Sequence, residues 1–420
     1  MKKINRVVVT GMGAVTPVGN TVDRYWESLI NGVSGACAIT KFDCSRFKTR
    51  FCCEVKGFDP LEYIDAKECR SMDLYSQYAV AAAHQAFADA KLDRLRGDRY
   101  RYGVMFASGI GGLESLQNEI IRFTQKDFSP RFSPHMIIKM ISNIAAGIVA
   151  MRYDFRGVNY GIVSACASST TATIDAYNTL RLGNADVIIV GGAEAAVNAT
   201  AIGGFNAIGA LSENNDNYST ASRPFDKTRD GFVLGEGAGA LVLETLDHAL
   251  ERNASIIAEV AGGGMTADAY HYALPHPEGR SVFNAMRIAI EDAGMKPQDI
   301  DYVNLHATST PAGDPPELMA VQELFSGSLD TLNVSATKSM TGHLLGAAGV
   351  IEAIATIKSI VEGIIPPTIN TTNIDPALDV KVDLTLGKAQ KKVINAALSN
   401  TFGFGGQNAS VLLKKYETNR

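Results

Sequence analysis

Val163-Ser164-Ala165-Cys166-Ala167-Ser168-Ser169-Thr170-Thr171-Ala172 reads as an extended approach that ends on a cysteine and turns at once into a helix of small residues. Helical spacing over 167–182 then gives way to a β-branched strand at Asp186–Val190. The same alternation continues in both directions. Strands are expected at Val7–Thr10, Tyr102–Ala107, Gly239–Leu243, Ile256–Ala261, Tyr302–Leu305 and Ala396–Leu398, with helices near 74–91, 280–294, 315–325 and 347–361. Strands alternating with helices imply an α/β protein of layered sheets and helices. The second half loosely repeats the first: Gly342-His343 leads into another small-residue helix, Ala347–Ile360, as Cys166 leads into its own. No Pro-, Ser- or Gly-rich linker separates the halves, so they are expected to form one compact unit divided at 253/254.

Composition narrows the function. Of 420 residues, 46% are apolar and 20% charged, which is ordinary for a globular chain and excludes a disordered or fibrous one. A net charge of −5 argues against a nucleic-acid binder held by a general basic surface. The opening Met1-Lys2-Lys3-Ile4-Asn5-Arg6 shows no apolar signal core, and no uninterrupted apolar run reaches about 18 residues. A cytoplasmic location without membrane spans is the expectation.

Six cysteines occur, at positions 37, 44, 52, 53, 69 and 166. None forms a Cys-x-x-Cys pair with histidines at zinc spacing, so no metal site is expected. No cysteine follows Cys166, which excludes chemistry that needs a second thiol in the C-terminal half. A cysteine at a helix N-terminus gains thiolate character from the free N–H groups and the helix dipole. That setting alone leaves two readings open, a nucleophile or a buried structural thiol. The other five cysteines have no such setting and read as small hydrophobes.

Two histidines tilt the balance. Asn304-Leu305-His306-Ala307-Thr308-Ser309-Thr310-Pro311 places one at a strand end before a run of hydroxyls. Ser335-Ala336-Thr337-Lys338-Ser339-Met340-Thr341-Gly342-His343-Leu344-Leu345-Gly346 places another before the second small-residue helix. His84, His135, His248, His271 and His276 have no comparable context. Asn400-Thr401-Phe402-Gly403-Phe404-Gly405-Gly406-Gln407-Asn408 is neither a Walker A nor a Rossmann sequence. It reads as a tight turn before a last strand at Ser410–Leu413, or as a mobile loop whose N–H could serve an oxyanion hole.

Together these stretches resemble the elongating β-ketoacyl-acyl-carrier-protein synthases, the type II condensing enzymes of the thiolase superfamily. The resemblance runs from Val8-Val9-Thr10-Gly11-Met12-Gly13 through Gly191-Gly192-Ala193-Glu194, Ala221-Ser222-Arg223-Pro224-Phe225-Asp226 and Asp230–Gly239 to the final Gly-Phe-Gly-Gly. It implies the thiolase fold, two similar halves in a five-layered α-β-α-β-α arrangement, and a homodimer. It implies decarboxylative condensation of an acyl thioester on Cys166 with malonyl-acyl-carrier protein, without a cofactor beyond the carrier's phosphopantetheine. By the same resemblance His306 and His343 act on the malonyl unit, Lys338 with Glu352 supports them, and Asp314 is a further supporting residue. Phe404 corresponds to a gate and an oxyanion donor. Thr308 and Thr310 correspond to phosphopantetheine contacts, Ile110, Phe205 and Phe402 to substrate contacts, and Lys67 and Arg70 to cations that dock the acidic carrier. Ala107, Gly209, Ala307 and Pro315-Pro316 depart from the family pattern. They leave room for a polyketide or aryl-polyene ketosynthase. Two other classes are weighed, a Cys-His acyltransferase or hydrolase and a non-catalytic partner subunit.

Overall fold

The computed structural model describes residues 4–94 and 96–417. Ten strands form its main sheet system. The first five are β1 (Val7–Val15), β2 (Tyr102–Ala107), β3 (Asn159–Ile162), β4 (Val187–Glu194) and β5 (Gly237–Thr245). The second five are β6 (Ala258–Ala267), β7 (Tyr302–Asn304), β8 (Asn333–Ser335), β9 (Ala396–Gly403) and β10 (Gln407–Lys414). Their spatial order is β8-β7-β9-β10-β6-β1-β5-β4-β2-β3. Each half therefore has one order, first-fifth-fourth-second-third, and the pair directions agree as well. β1 with β5 and β5 with β4 are antiparallel, β4 with β2 and β2 with β3 parallel, and the second half follows the same sequence. The loose likeness of the halves in sequence is a topological duplication. The two five-strand units join where β1 pairs antiparallel with β6 through Val7–Val260, Val8–Glu259 and Val9–Ala258.

The duplication has a side-chain signature. Helix α1 (Leu74–Asp89) lies directly on β1, where a Cβ on Gly11 or Gly13 would collide with the carbonyls of Ala86 and Ala82. With α2 (Ile144–Tyr153), α3 (Ser168–Arg181) and α4 (Arg280–Asp292), the order repeats: on β6, a Cβ on Gly262 or Gly264 would strike the carbonyls of Ala289 and Ala285 in α4. Strand glycines facing helix alanines let backbone pack on backbone in both halves.

α1 and α2 cover the outer face of the first sheet, and α4 and α5 (Asp314–Leu324) that of the second. α3 and α6 (Ala348–Glu362) fill the space between the sheets, within the largest apolar cluster. Five layers result, α-β-α-β-α. Such proximity demands small residues: a Cβ on Gly349 of α6 would overlap Thr170 Oγ1 of α3. Ser169 Oγ of α3 accepts the Val350 N–H of α6 at 3.0 Å, satisfying one of the orphan donors of that helix's first turn.

The expected strands and helices all occur, with ends moved by a few residues. The last strand, expected at Ser410–Leu413, extends to Gln407–Lys414. β3 and β8 were not legible: Asn159-Tyr160-Gly161-Ile162 and Asn333-Val334-Ser335 are too short and too polar to announce themselves. Pro315 and Pro316 sit in the first turn of α5, where a missing N–H costs nothing. The 253/254 division falls between helix Leu246–Glu251 and β6.

Candidate active site

Cys166 stands between β3 and α3, two residues before the helix begins. The turn is tight. Ala165 takes a left-handed φ of 49°, Ser168 Oγ donates to Ala165 O at 2.6 Å, and Ser164 N–H donates to Ser168 Oγ at 2.9 Å. A non-glycine residue in that region is strained, and such strain concentrates at functional turns. The sulfur is thereby presented to a cavity of about 450 Å³.

His343 reaches the same cavity from the segment before α6. Its main chain is clamped on both sides: His343 N–H donates to Val233 O at 2.8 Å and its carbonyl accepts from Gly235 N–H at 2.9 Å. The preceding Gly342 has φ 68°, and a Cβ there would lie 2.8 Å from Cys53 Sγ. The clamp sets His343 Nε2 at 3.0 Å from Cys166 Sγ. His306, at the end of β7, stands edge-on to His343 with ring centroids 5.3 Å apart. Phe402 packs on His306 at 5.6 Å and Phe232 on His343 at 5.3 Å.

Among the described residues, no partner reaches the buried Nδ1 atom of either histidine. Placing the proton on Nε2 of each ring avoids burying an unsatisfied N–H, so Nε2–H is the favoured tautomer and both rings become donors toward the cavity. Burial, then the Lys338 charge, holds both rings well below 6.5; for His306 the neighbouring His343 adds to this. They are neutral at physiological pH. Burial also pushes the Cys166 thiol up to about 12, against the pull of Lys338 and of the Phe404 and Cys166 main-chain N–H groups. The thiolate character expected from the helix N-terminus is therefore outweighed by desolvation, and the resting group is a thiol. The same two N–H groups converge on the sulfur, where a carbonyl oxygen bonded to it would become an oxyanion.

Carboxylates shape the walls. Lys338 and Glu352 form a fully buried ion pair, each 1% exposed. Asp314 accepts the Ser309, Thr310 and Phe225 N–H groups, and burial pushes it up to about 6. Thr308 and Thr310 share a hydroxyl contact of 3.1 Å and line the cavity mouth. Ile110 and Phe205 line its apolar end, and Phe404 leans on Phe205 at 6.5 Å. Gly403-Phe404-Gly405-Gly406 is the turn between β9 and β10, with φ of 82° at Gly405 and 70° at Gly406. Lys67 and Arg70 are exposed in and beside the short helix Ala66–Cys69, away from the cavity walls.

Two carboxylates were given no role by the sequence reading, although Glu194 falls in one of the stretches that carry the resemblance. Glu317 of α5 accepts the His306 N–H at 2.8 Å and the Ala307 N–H at 2.7 Å, locking the turn that aims His306. Glu194, at the end of β4, accepts Ser108 Oγ and the N–H groups of Gly109, Ile110 and Gly346, tying the Ile110 segment to the start of α6. Burial pushes both up to about 7. A charged residue closing an apolar strand was a legible signal for Glu194; Glu317 had none, because its partners meet it only across the fold.

Comparisons with known proteins bear on the whole chain. Residues 4–249 match the model of the β-ketoacyl synthase N-terminal domain and residues 257–372 that of its C-terminal domain. A 3-oxoacyl-[acyl-carrier-protein] synthase 2 of Synechocystis sp. is 46% identical over 98% of each chain. The ishigamide ketosynthase/chain length factor superposes with a TM-score of 0.91 at 33% identity, over 99% of this chain and 100% of that one. A ketosynthase solved in complex with its type II polyketide acyl-carrier protein gives 0.91 at 31% identity, over 99% and 100%.

Proposed function

Since the chain belongs to the β-ketoacyl synthase family, we propose that it elongates acyl chains by condensing an acyl group held on Cys166 with a malonyl group delivered on acyl carrier protein. The observation that carries the roles of the residues is the 3.0 Å approach of His343 Nε2 to Cys166 Sγ in a cavity that also holds His306. The 46% identity to a 3-oxoacyl-[acyl-carrier-protein] synthase 2, against 31% to a type II polyketide ketosynthase, supports fatty-acid elongation.

In the first half-reaction Cys166 Sγ attacks the thioester carbonyl of the acyl carrier protein. His343 Nε2–H steadies the sulfur as its proton leaves, and the Cys166 and Phe404 N–H groups hold the oxyanion that forms on the carbonyl oxygen as the S–C bond is made. The S–acyl bond forms, the carrier thiolate departs, and the thiol proton ends on it. Malonyl carrier protein then binds, with Thr308 and Thr310 placed for its phosphopantetheine arm. Its C–C bond breaks and releases carbon dioxide, the electron pair becomes an enolate, and His306 and His343 donate to the enolate oxygen. The enolate carbon attacks the Cys166 thioester and expels the cysteine as a thiolate, which takes a proton from solvent to restore the resting thiol. The product is a β-ketoacyl carrier protein two carbons longer. Loss of carbon dioxide drives the reaction, so the chemistry calls for no redox group or metal.

Lys67 and Arg70 are proposed to meet the acidic carrier. The protein is proposed to act in the cytoplasm as a homodimer. Exposed Ile120, Ile121, Phe128, Phe132, Ile137 and Ile138, together with the open edge of β3, support self-association. The deciding experiment incubates the protein with acyl and malonyl carrier proteins of graded chain length and reads the products by mass spectrometry. A β-ketoacyl product is expected; its absence with every chain would overturn the reading.

A further inference from the structure

The cysteines that the condensation does not use include a facing pair. Cys37-Ala38 and Phe51-Cys52 form a small antiparallel ladder with Cys37 directly opposite Cys52. Ile39 N–H donates to Arg50 O at 3.0 Å. Hydrogen-bonded and non-hydrogen-bonded pairs alternate along such a ladder, so Cys37 and Cys52, two steps on, are again a hydrogen-bonded pair with Cα atoms about 5.5 Å apart. That separation lies inside the Cα window a disulfide spans; the Cβ atoms of a hydrogen-bonded pair start about 5.5 Å apart, so closure draws the two short strands together by about 1 Å. Directly opposed residues project from the same face, so the two sulfurs share one side of the ladder.

The pair is chemically uneven. Cys37 is partly exposed, whereas Cys52 is fully buried. The neighbouring Cys52 thiol lowers Cys37, assisted by the Glu54 N–H and the Lys56 charge, while Cys52 itself is pushed up. One reachable thiol with a lowered pKa beside one protected thiol is the arrangement of an attacking and a resolving cysteine. The setting also connects to the cavity. Cys52 belongs to the apolar wall that includes Ile110, Phe205 and Cys166, and Cys53 N–H donates to Leu234 O at 2.8 Å, within the 233–235 segment that clamps His343.

We propose that Cys37 and Cys52 are a redox-active pair that closes reversibly to a disulfide when a hydroperoxide oxidises the protein. The Cys37 thiolate attacks the peroxide oxygen, giving a sulfenic acid and releasing hydroxide. Cys52 sulfur then attacks the Cys37 sulfur, and the S–S bond forms as hydroxide leaves with the Cys52 proton as water. Two electrons pass from the pair to the peroxide, and a dithiol reductant returns them.

The test exposes the full chain to a small excess of hydrogen peroxide, blocks remaining thiols by alkylation, and digests it after lysine and arginine without reduction. Cys37 then lies on peptide 25–41, Cys44 on 42–46, and Cys52 with Cys53 on 51–56. The expected product is 25–41 joined to 51–56, with fragment ions placing the bond on Cys52, cleaved by dithiothreitol and absent from Cys37→Ser. Recovery of Cys37 unlinked after peroxide, or linked to Cys44 or Cys53, would overturn the proposal.

Discussion

Removing the Lys338–Glu352 pair one partner at a time should cost far more than removing it whole. Both side chains are 1% exposed, so neither charge can turn to water when its partner is lost. Lys338→Met leaves a buried carboxyl group that burial already pushes up to about 7 and that must take a proton, and Glu352→Gln leaves a buried ammonium. Breaking a buried pair on one side typically costs about 3–5 kcal/mol, whereas replacing both partners by apolar residues of similar volume is often close to neutral. Lys338→Met combined with Glu352→Leu should therefore recover most of the loss, with a coupling energy of at least about 2 kcal/mol. Denaturant midpoints at unchanged slope measure the three variants. A second readout tests the electrostatic role, because the Lys338 charge adds to burial in holding both histidines low. With the cation gone, protonating the rings becomes easier, so the acid limb of malonyl decarboxylation must move to higher pH in every variant lacking Lys338. Single variants costing under about 1 kcal/mol, additive losses, or an unmoved acid limb would each refute the reasoning.

Four further outcomes are expected. Cys166→Gln should abolish condensation yet keep malonyl decarboxylation, with activity flat as pH falls through 6.5 because both rings titrate well below that value; a midpoint near 6.5 would count against the neutral imidazoles. The same lowering means that below pH 6.5 the unfolded chain binds protons the folded one refuses, so these histidines withdraw stability as pH falls from 6.5 toward their folded values. Glu317→Gln, which loses a charged acceptor for the His306 and Ala307 N–H groups, should lower kcat about 10–100-fold, the equivalent of about 1.5–3 kcal/mol, with little change in the KM for acyl carrier; an equal rise in KM would assign it to binding. Gly349→Ala should destabilise the protein by about 1–3 kcal/mol by pressing on Thr170, and Thr170→Ala should restore part of the loss; no effect on the unfolding midpoint would contradict the close packing of α3 on α6.

Several of these expectations could be framed before any coordinates. The order Cys166, His306, His343, each at a junction between elements, was readable because a nucleophile and its partners must be particular residue types, and their flanking periodicity is local. The alternation of strands and helices was equally local, and the absence of cysteine after Cys166 needed no structure at all. Tertiary structure decided what depends on distant parts of the chain meeting. The 3.0 Å contact between Cys166 and His343 joins residues 177 apart. Glu317 became the anchor of His306 only because α5 folds back on the end of β7. Cys37 and Cys52, which looked like ordinary small hydrophobes, acquired a shared chemistry from ladder register. Burial then reversed one expectation outright: the helix N-terminus argued for a thiolate at Cys166, and the desolvated cavity holds a thiol. Residue type and local period are written along the chain, whereas register, burial and the field at each atom arise only when the layers close around the site.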